Sequence, residues 1–182
     1  LASSWEQTEM PSVFDFPLHH AMVDVLCGDA PLARLASVLA QDRFYVDPSR
    51  LVTFLDNHDT PRIASACGGD VDRVASALRF LLATRGVPAI TWGTELPLEG
   101  GEEPDNRRDM DFTAAPQLAD TIREGLAMRA DQPIFSRGTT KTVVMESQLL
   151  VLLRQLGEEV AFVAVNRGAP QPPGLPAGLG PD

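Results

Sequence analysis

Basic residues are scarce in this chain: 15 Lys and Arg stand against 25 Asp and Glu, a formal net charge of −10. Such a field repels phosphate backbones and anionic lipid, and no Lys/Arg cluster interrupts it, so neither nucleic acid nor a membrane surface is expected as a partner. A neutral substrate suits the charge better. Long apolar runs are lacking too, and none approaches the roughly 20 residues that cross a bilayer. Cysteine is limited to Cys27 and Cys67, without the CxxC or Cys/His spacing of a metal site. A disulfide does not follow from their spacing, and both are expected to be buried thiols. No basic-then-apolar leader opens the chain, which starts at Leu1 rather than Met. We read this as a cut N-terminus and leave localisation open.

What is present describes an ordinary globular chain: 182 residues, 44% hydrophobic and 22% charged, enough for one domain with a real core. "SVFDF" (12–16) is a short β-prone run, followed by Pro17 and a helical stretch that stops at Gly28. A second helix is expected with Asp29 as N-cap and Leu32, Leu35, Ala36 and Leu39 on one face. "LVTFL" (51–55) reads as a strand. The next helix has Asp70 as N-cap, an apolar face of Val71, Val74, Leu78, Leu81 and Leu82, and a stop at Gly86. "VPAITW" (87–92) is expected to be a buried strand. Strand, helix, strand at this spacing is a βαβ unit and implies parallel strands covered by helices.

After a polar loop, "EGGEEPDNRRDMDF", helical periodicity returns with Leu118, Ile122 and Leu126 in register. Beyond Gly138, "KTVVME", "LLVLLR" and "VAFVAVN" have the look of an antiparallel meander, with a boundary near residue 136. The Pro/Gly-rich tail receives no regular structure.

Two polar clusters carry the chemistry. Asp56, Asn57, His58 and Asp59 follow "LVTFL", and Trp92, Gly93, Thr94 and Glu95 follow "VPAI". In parallel α/β architectures both positions fall at the carboxyl ends of strands, where ligands bind. Asp and Asn after a strand are also ordinary turn formers. Two clusters at equivalent strand ends favour a site.

"FLDNHDTPR" resembles the fourth conserved region of the α-amylase superfamily, glycoside hydrolase family 13, at the end of that family's seventh barrel strand. "GVPAITWGTELPLEGGEEPDNRRDMDF" is similar to its eighth strand and following loop, and "SVFDFPLHHAM" to its sixth strand and helix. The resemblance runs from about residue 12 to 168. It implies an α/β fold: the C-terminal part, about strands six to eight, of a (β/α)8 TIM barrel over residues 1–135, then part of a small antiparallel β-sandwich over 136–182.

Position by position, the resemblance makes Asp59 the carboxylate that stabilises an oxocarbenium-like transition state, with His58 bonding the same sugar. Arg107 matches a sugar-binding Arg. Glu103 stands where a partner Asp is usual, reaching about one methylene further. Trp92, where Tyr is usual, could stack on a sugar ring or simply line the barrel rim. Asn57 and Glu95 would orient the site. Asp56 and Arg62 read as a surface ion pair, His19 and His20 as residues of a helix entrance, and Asp105, Asp109 and Asp111 as solvated loop charges. No metal or cofactor is expected in this chain, although a structural calcium elsewhere in a full enzyme fits the family.

The implied activity is retaining hydrolysis or transglycosylation of α-glucans. Its nucleophile and acid/base would lie upstream, so the upstream barrel half is an expected partner and this stretch alone is expected to be inactive. A non-catalytic relative that binds carbohydrate or contacts a subunit is the alternative. A metallophosphoesterase is more remote, since its "GDxxDR" element should precede Asn-His-Asp and its Asp-x-His is missing.

Overall fold

The computed structural model describes residues 12–169. Helix α1 (Phe16–Met22) begins where the Asp15 carboxylate accepts the Leu18 N–H at 3.0 Å, and it continues as a π-helical turn, Val23–Cys27. α2 (Ala33–Leu39) follows, then β1 (Val52–Phe54), the short α3 (Ile63–Ala66) and α4 (Val71–Ala83). β2 (Val87–Ala89) pairs in parallel with β1 in the register Val52↔Val87, Thr53↔Pro88, Phe54↔Ala89. The parallel βαβ unit is therefore present. α5 (Ala119–Asp131) and α6 (Ile134–Arg137) lead into an antiparallel sheet of β3 (Thr139–Met145), β4 (Leu149–Leu156) and β5 (Glu159–Asn166), in the order β3-β4-β5.

α4 shows how local sequence makes an element. Asp70 accepts the N–H groups of Asp72 (3.0 Å) and Arg73 (3.1 Å), and Val74, Ala77, Leu78 and Leu81 form a fully buried stripe. Its carboxyl end is closed from another element: Arg129 of α5 donates to the carbonyls of Leu82 (2.9 Å), Thr84 (2.6 Å) and Gly86 (2.5 Å). Arg85, buried beside it, reaches Asp15 at 2.5 Å and Asp42 at 2.5 Å. Burial works against its charge, and the two carboxylates outweigh burial to raise its pKa.

One apolar core runs from α1 and α2 through α4 to the sheet, where Leu150, Leu152 and Val163 join it. Arg154 crosses that junction, donating to the carbonyls of Ile134 (3.1 Å) and Phe135 (3.0 Å), and burial brings its pKa down to about 10. Among the described residues no helix is long and apolar enough to cross a membrane.

Several expectations are corrected. "SVFDF" yields only a bridge between Phe14 and Val52: the Asp15 N–H still donates to the Val52 carbonyl at 2.8 Å, but the chain turns into α1 at Phe16, capped by the Asp15 side chain, which also pairs with Arg85. Asp29 caps nothing: Gly28 and Ala30 close the π-helical turn onto Val23 and Asp24, so α2 starts later, with Leu32 at its N-cap. Among the described residues β2 is not buried, for Val87 is 54% exposed on the edge of a two-stranded sheet, which also tolerates Pro88. Leu126 is exposed rather than packed. Cys27 and Cys67 are buried as expected but joined in a disulfide, which fastens the π-helical turn to the segment after α3. His19 lies in the first turns of α1, at the helix entrance as expected, and is buried there; its ring stacks on Phe54 at 4.6 Å, and desolvation lowers its pKa. The tail from residue 170 lies outside the described residues.

Candidate active site

The strand ends β1 and β2 place their loops side by side. Thr91 Oγ1 donates to the Asp56 carbonyl at 2.8 Å, tying one loop to the other. Beneath them lies a buried ion pair, Arg62 Nε to Asp56 Oδ2 at 3.3 Å, in place of the expected surface pair. The second Asp56 contact is the Ile63 N–H at 2.8 Å, so this carboxylate also starts α3. Arg62 extends under the second loop: it donates to the Trp92 carbonyl, lies 3.5 Å from Thr94 Oγ1, and holds its guanidinium carbon 5.3 Å from the Trp92 ring centre. A charged pair without solvent needs such multiple partners to be tolerated.

Above this base the predicted residues assemble. Asn57 Oδ1 accepts the Asp59 N–H at 2.8 Å, and the Asn57 N–H donates to Thr60 Oγ1 at 3.0 Å, forming a side-chain-closed turn. That turn presents the Asp59 carboxylate to solvent. His58 Nε2 lies 3.3 Å from Asp59 Oδ2, and Arg107 Nη2 lies 3.1 Å from Asp59 Oδ1. Arg107 also donates from Nε to the His58 carbonyl at 2.9 Å and meets Glu103 at 2.9 Å. The extra methylene of Glu103 thus still reaches Arg107. Imidazole, two carboxylates and one guanidinium form a continuous exposed chain.

Trp92 is 42% exposed, and its indole N–H donates to the Arg108 carbonyl at 3.2 Å. Glu95 takes part through its backbone carbonyl, which accepts the Leu118 N–H at 2.9 Å, and its side chain joins neither arginine. Asp105 and Asp111 serve separate local turns. The Gly101 N–H and then Arg108 hold the Asp105 carboxyl below its ordinary pKa, and Thr113 does the same for Asp111. Among the described residues no group of three His, Cys, Asp or Glu gathers as a metal site.

Sequence reasoning missed two participants, Arg62 in its buried role and Asn106. Both lie outside any periodic pattern. The available hint was position: Asp56 directly continues an apolar strand, so a partner for its charge had to come from nearby.

Polar loops at the carboxyl ends of adjacent parallel strands define an α/β site of the kind that binds small ligands. The sequence pattern of the alpha-amylase family, "Alpha amylase, catalytic domain", matches residues 2–146. The chain is 35% identical over 129 residues to a cyclomaltodextrin glucanotransferase of Bacillus sp. (strain 38-2), covering 70% of this chain and 18% of that protein. Among solved structures it is similar to an Anoxybacillus alpha-amylase (TM-score 0.84, 30% identity, 91% of this chain and 38% of that one). It is also similar to the alpha-amylase of Geobacillus thermoleovorans in complex with acarbose (TM-score 0.83, 31% identity, 90% and 38%). The chain belongs to the alpha-amylase family, glycoside hydrolase family 13, and has its TIM-barrel-type fold. It spans about a fifth of the length of the first curated relatives it matches.

Proposed function

We propose that this chain is the C-terminal part of the catalytic barrel, about strands six to eight over residues 1–135, and the start of the following β-sandwich over 136–182, in a retaining α-glycosidase or transglycosylase of α-glucans. The observation that carries the reading is Asp59, exposed at the end of β1 and held between His58 and Arg107. A carboxylate oriented from both sides suits the stabilising role: its oxygens accept sugar hydroxyls whose bonds strengthen as positive charge develops on the ring. His58 donates a further bond to the same sugar, Arg107 paired with Glu103 binds sugar, and Trp92 offers a ring on which a sugar stacks. Asn57 orients the turn, and Glu95 anchors the second loop through its backbone. Retaining chemistry needs a nucleophile and an acid/base about 5 to 5.5 Å apart. In this reading both come from the upstream half of the barrel, which covers the exposed Phe14, Phe16 and Val87.

The test is Asp59→Asn in the full-length enzyme. Turnover of malto-oligosaccharides should fall by about 100-fold to 1,000-fold or more with the melting temperature unchanged. His58→Ala should lose less. Near wild-type turnover in Asp59→Asn would remove this residue from the chemistry.

A further inference from the structure

We infer that Asn106 is a positioning residue for Asp59; this rests on the reading just given. Asn106 is the single buried residue of the 3-10 turn Asp105–Arg107, 2% exposed between two exposed charges. Its side-chain amide nitrogen donates to the carbonyls of His58 at 3.1 Å and Thr60 at 3.0 Å. Those two carbonyls flank Asp59. One NH2 group therefore holds the chain on either side of the stabilising carboxylate.

The chemistry is specific to an amide. Two acceptors at one nitrogen require two N–H donors, which fixes the orientation of the side chain. A carboxylate of the same shape would face both carbonyls with negative oxygen. The asparagine is itself held by close packing of its loop: a Cβ on Gly100 would come within 2.7 Å of the Asn106 Cα and 2.5 Å of the Asp105 carbonyl oxygen. Gly100 in turn donates to Ser65 Oγ at 2.8 Å and accepts the Arg62 N–H at 2.8 Å. The second loop is thus pinned to α3, and Asn106 passes that fixed position to the Asp59 turn. Asn57 shapes the turn from within; Asn106 sets where the turn stands relative to the second loop.

The experiment uses the full-length enzyme and two variants, Asn106→Asp and the milder Asn106→Ser, which keeps one donor. Asn106→Asp should lower kcat about 100-fold, the scale of a displacement near 1 Å, with KM within a few-fold. Asn106→Ser should fall between it and wild type. Acarbose affinity should weaken in parallel with kcat. In the double variant Asp59→Asn/Asn106→Asp, turnover should match Asp59→Asn alone within about twofold, because both changes remove one interaction.

Multiplicative losses in that cycle, or a change confined to KM, would overturn the positioning role while leaving the proposed function intact. Failure of both single variants to fold would make Asn106 purely structural and also overturn it. A full-length wild type without α-glucan activity, or an unimpaired Asp59→Asn, would overturn the underlying reading as well.

Discussion

At the scale of single residues, charge burial decides what the site rests on. Arg62 and Asp56 lie out of solvent, and each serves more than its partner: Asp56 starts α3, and Arg62 supports the Trp92 loop. Removing one member leaves the other as an uncompensated buried charge, which costs about 3–5 kcal/mol. Arg62→Met should therefore lower unfolding free energy by about that amount in chemical denaturation, and Asp56→Asn in the same chain should recover part of it. A loss under about 1 kcal/mol would instead fit a solvated pair. The same reasoning separates Arg62 from Arg107. Arg107 is partly exposed, and its pairing with Asp59 and Glu103 serves orientation more than stability.

Among elements, α4 and α5 pack closely. Gly125 sits where an added Cβ would meet Leu82 Cδ1 at 2.5 Å and Leu82 Cβ at 2.9 Å. On an isolated helix Gly→Ala gains about 1 kcal/mol. Here the overlap costs about 1–3 kcal/mol. Gly125→Ala should thus destabilise the protein, and the sign of the change in melting temperature is the test. A stabilised variant would mean that the two helices are free to separate. The contact matters beyond packing, because α5 also carries Arg129, which closes the carboxyl end of α4 just before β2. Loosening this pair would reach the strand that supports the Trp92 loop.

Over the whole molecule, the disulfide is the longest covalent constraint. Cys27 and Cys67 are 40 residues apart, and a loop of that size stabilises by about 4 kcal/mol in the chain-entropy account. Cys27→Ser/Cys67→Ser, or reduction, should lower the denaturation midpoint accordingly. An unchanged midpoint under reducing conditions would show that packing alone holds the two segments. The bridge spans the segment containing β1 and the Asp59 turn, so His58 and Asp59 lie inside the closed loop while Glu103 and Arg107 lie outside it. Phe14, Phe16 and Val87 leave exposed apolar surface beside β1 and β2, and among the described residues β2 is an edge strand. In the proposed enzyme the rest of the barrel covers it.

Much of this was legible in the linear pattern. The period of α4, the Asp70 cap, the β1–β2 parallel unit and the three antiparallel runs follow from neighbours in sequence, since caps, periodicity and turns are local physics. His58, Asp59, Glu103 and Arg107 are identified through the family resemblance of two motifs rather than through any local pattern, and the structure joins them in one chain of contacts. What only the tertiary structure decided were the long-range partners. The Asp15 side chain pairs with Arg85, Cys27 finds Cys67, and Arg62 goes under rather than over the surface. Asn106 reaches back 48 residues to the His58 carbonyl. Each of these choices compares burial, charge and hydrogen-bond geometry between segments that are distant along the chain, and those energies exist only once the segments are packed together.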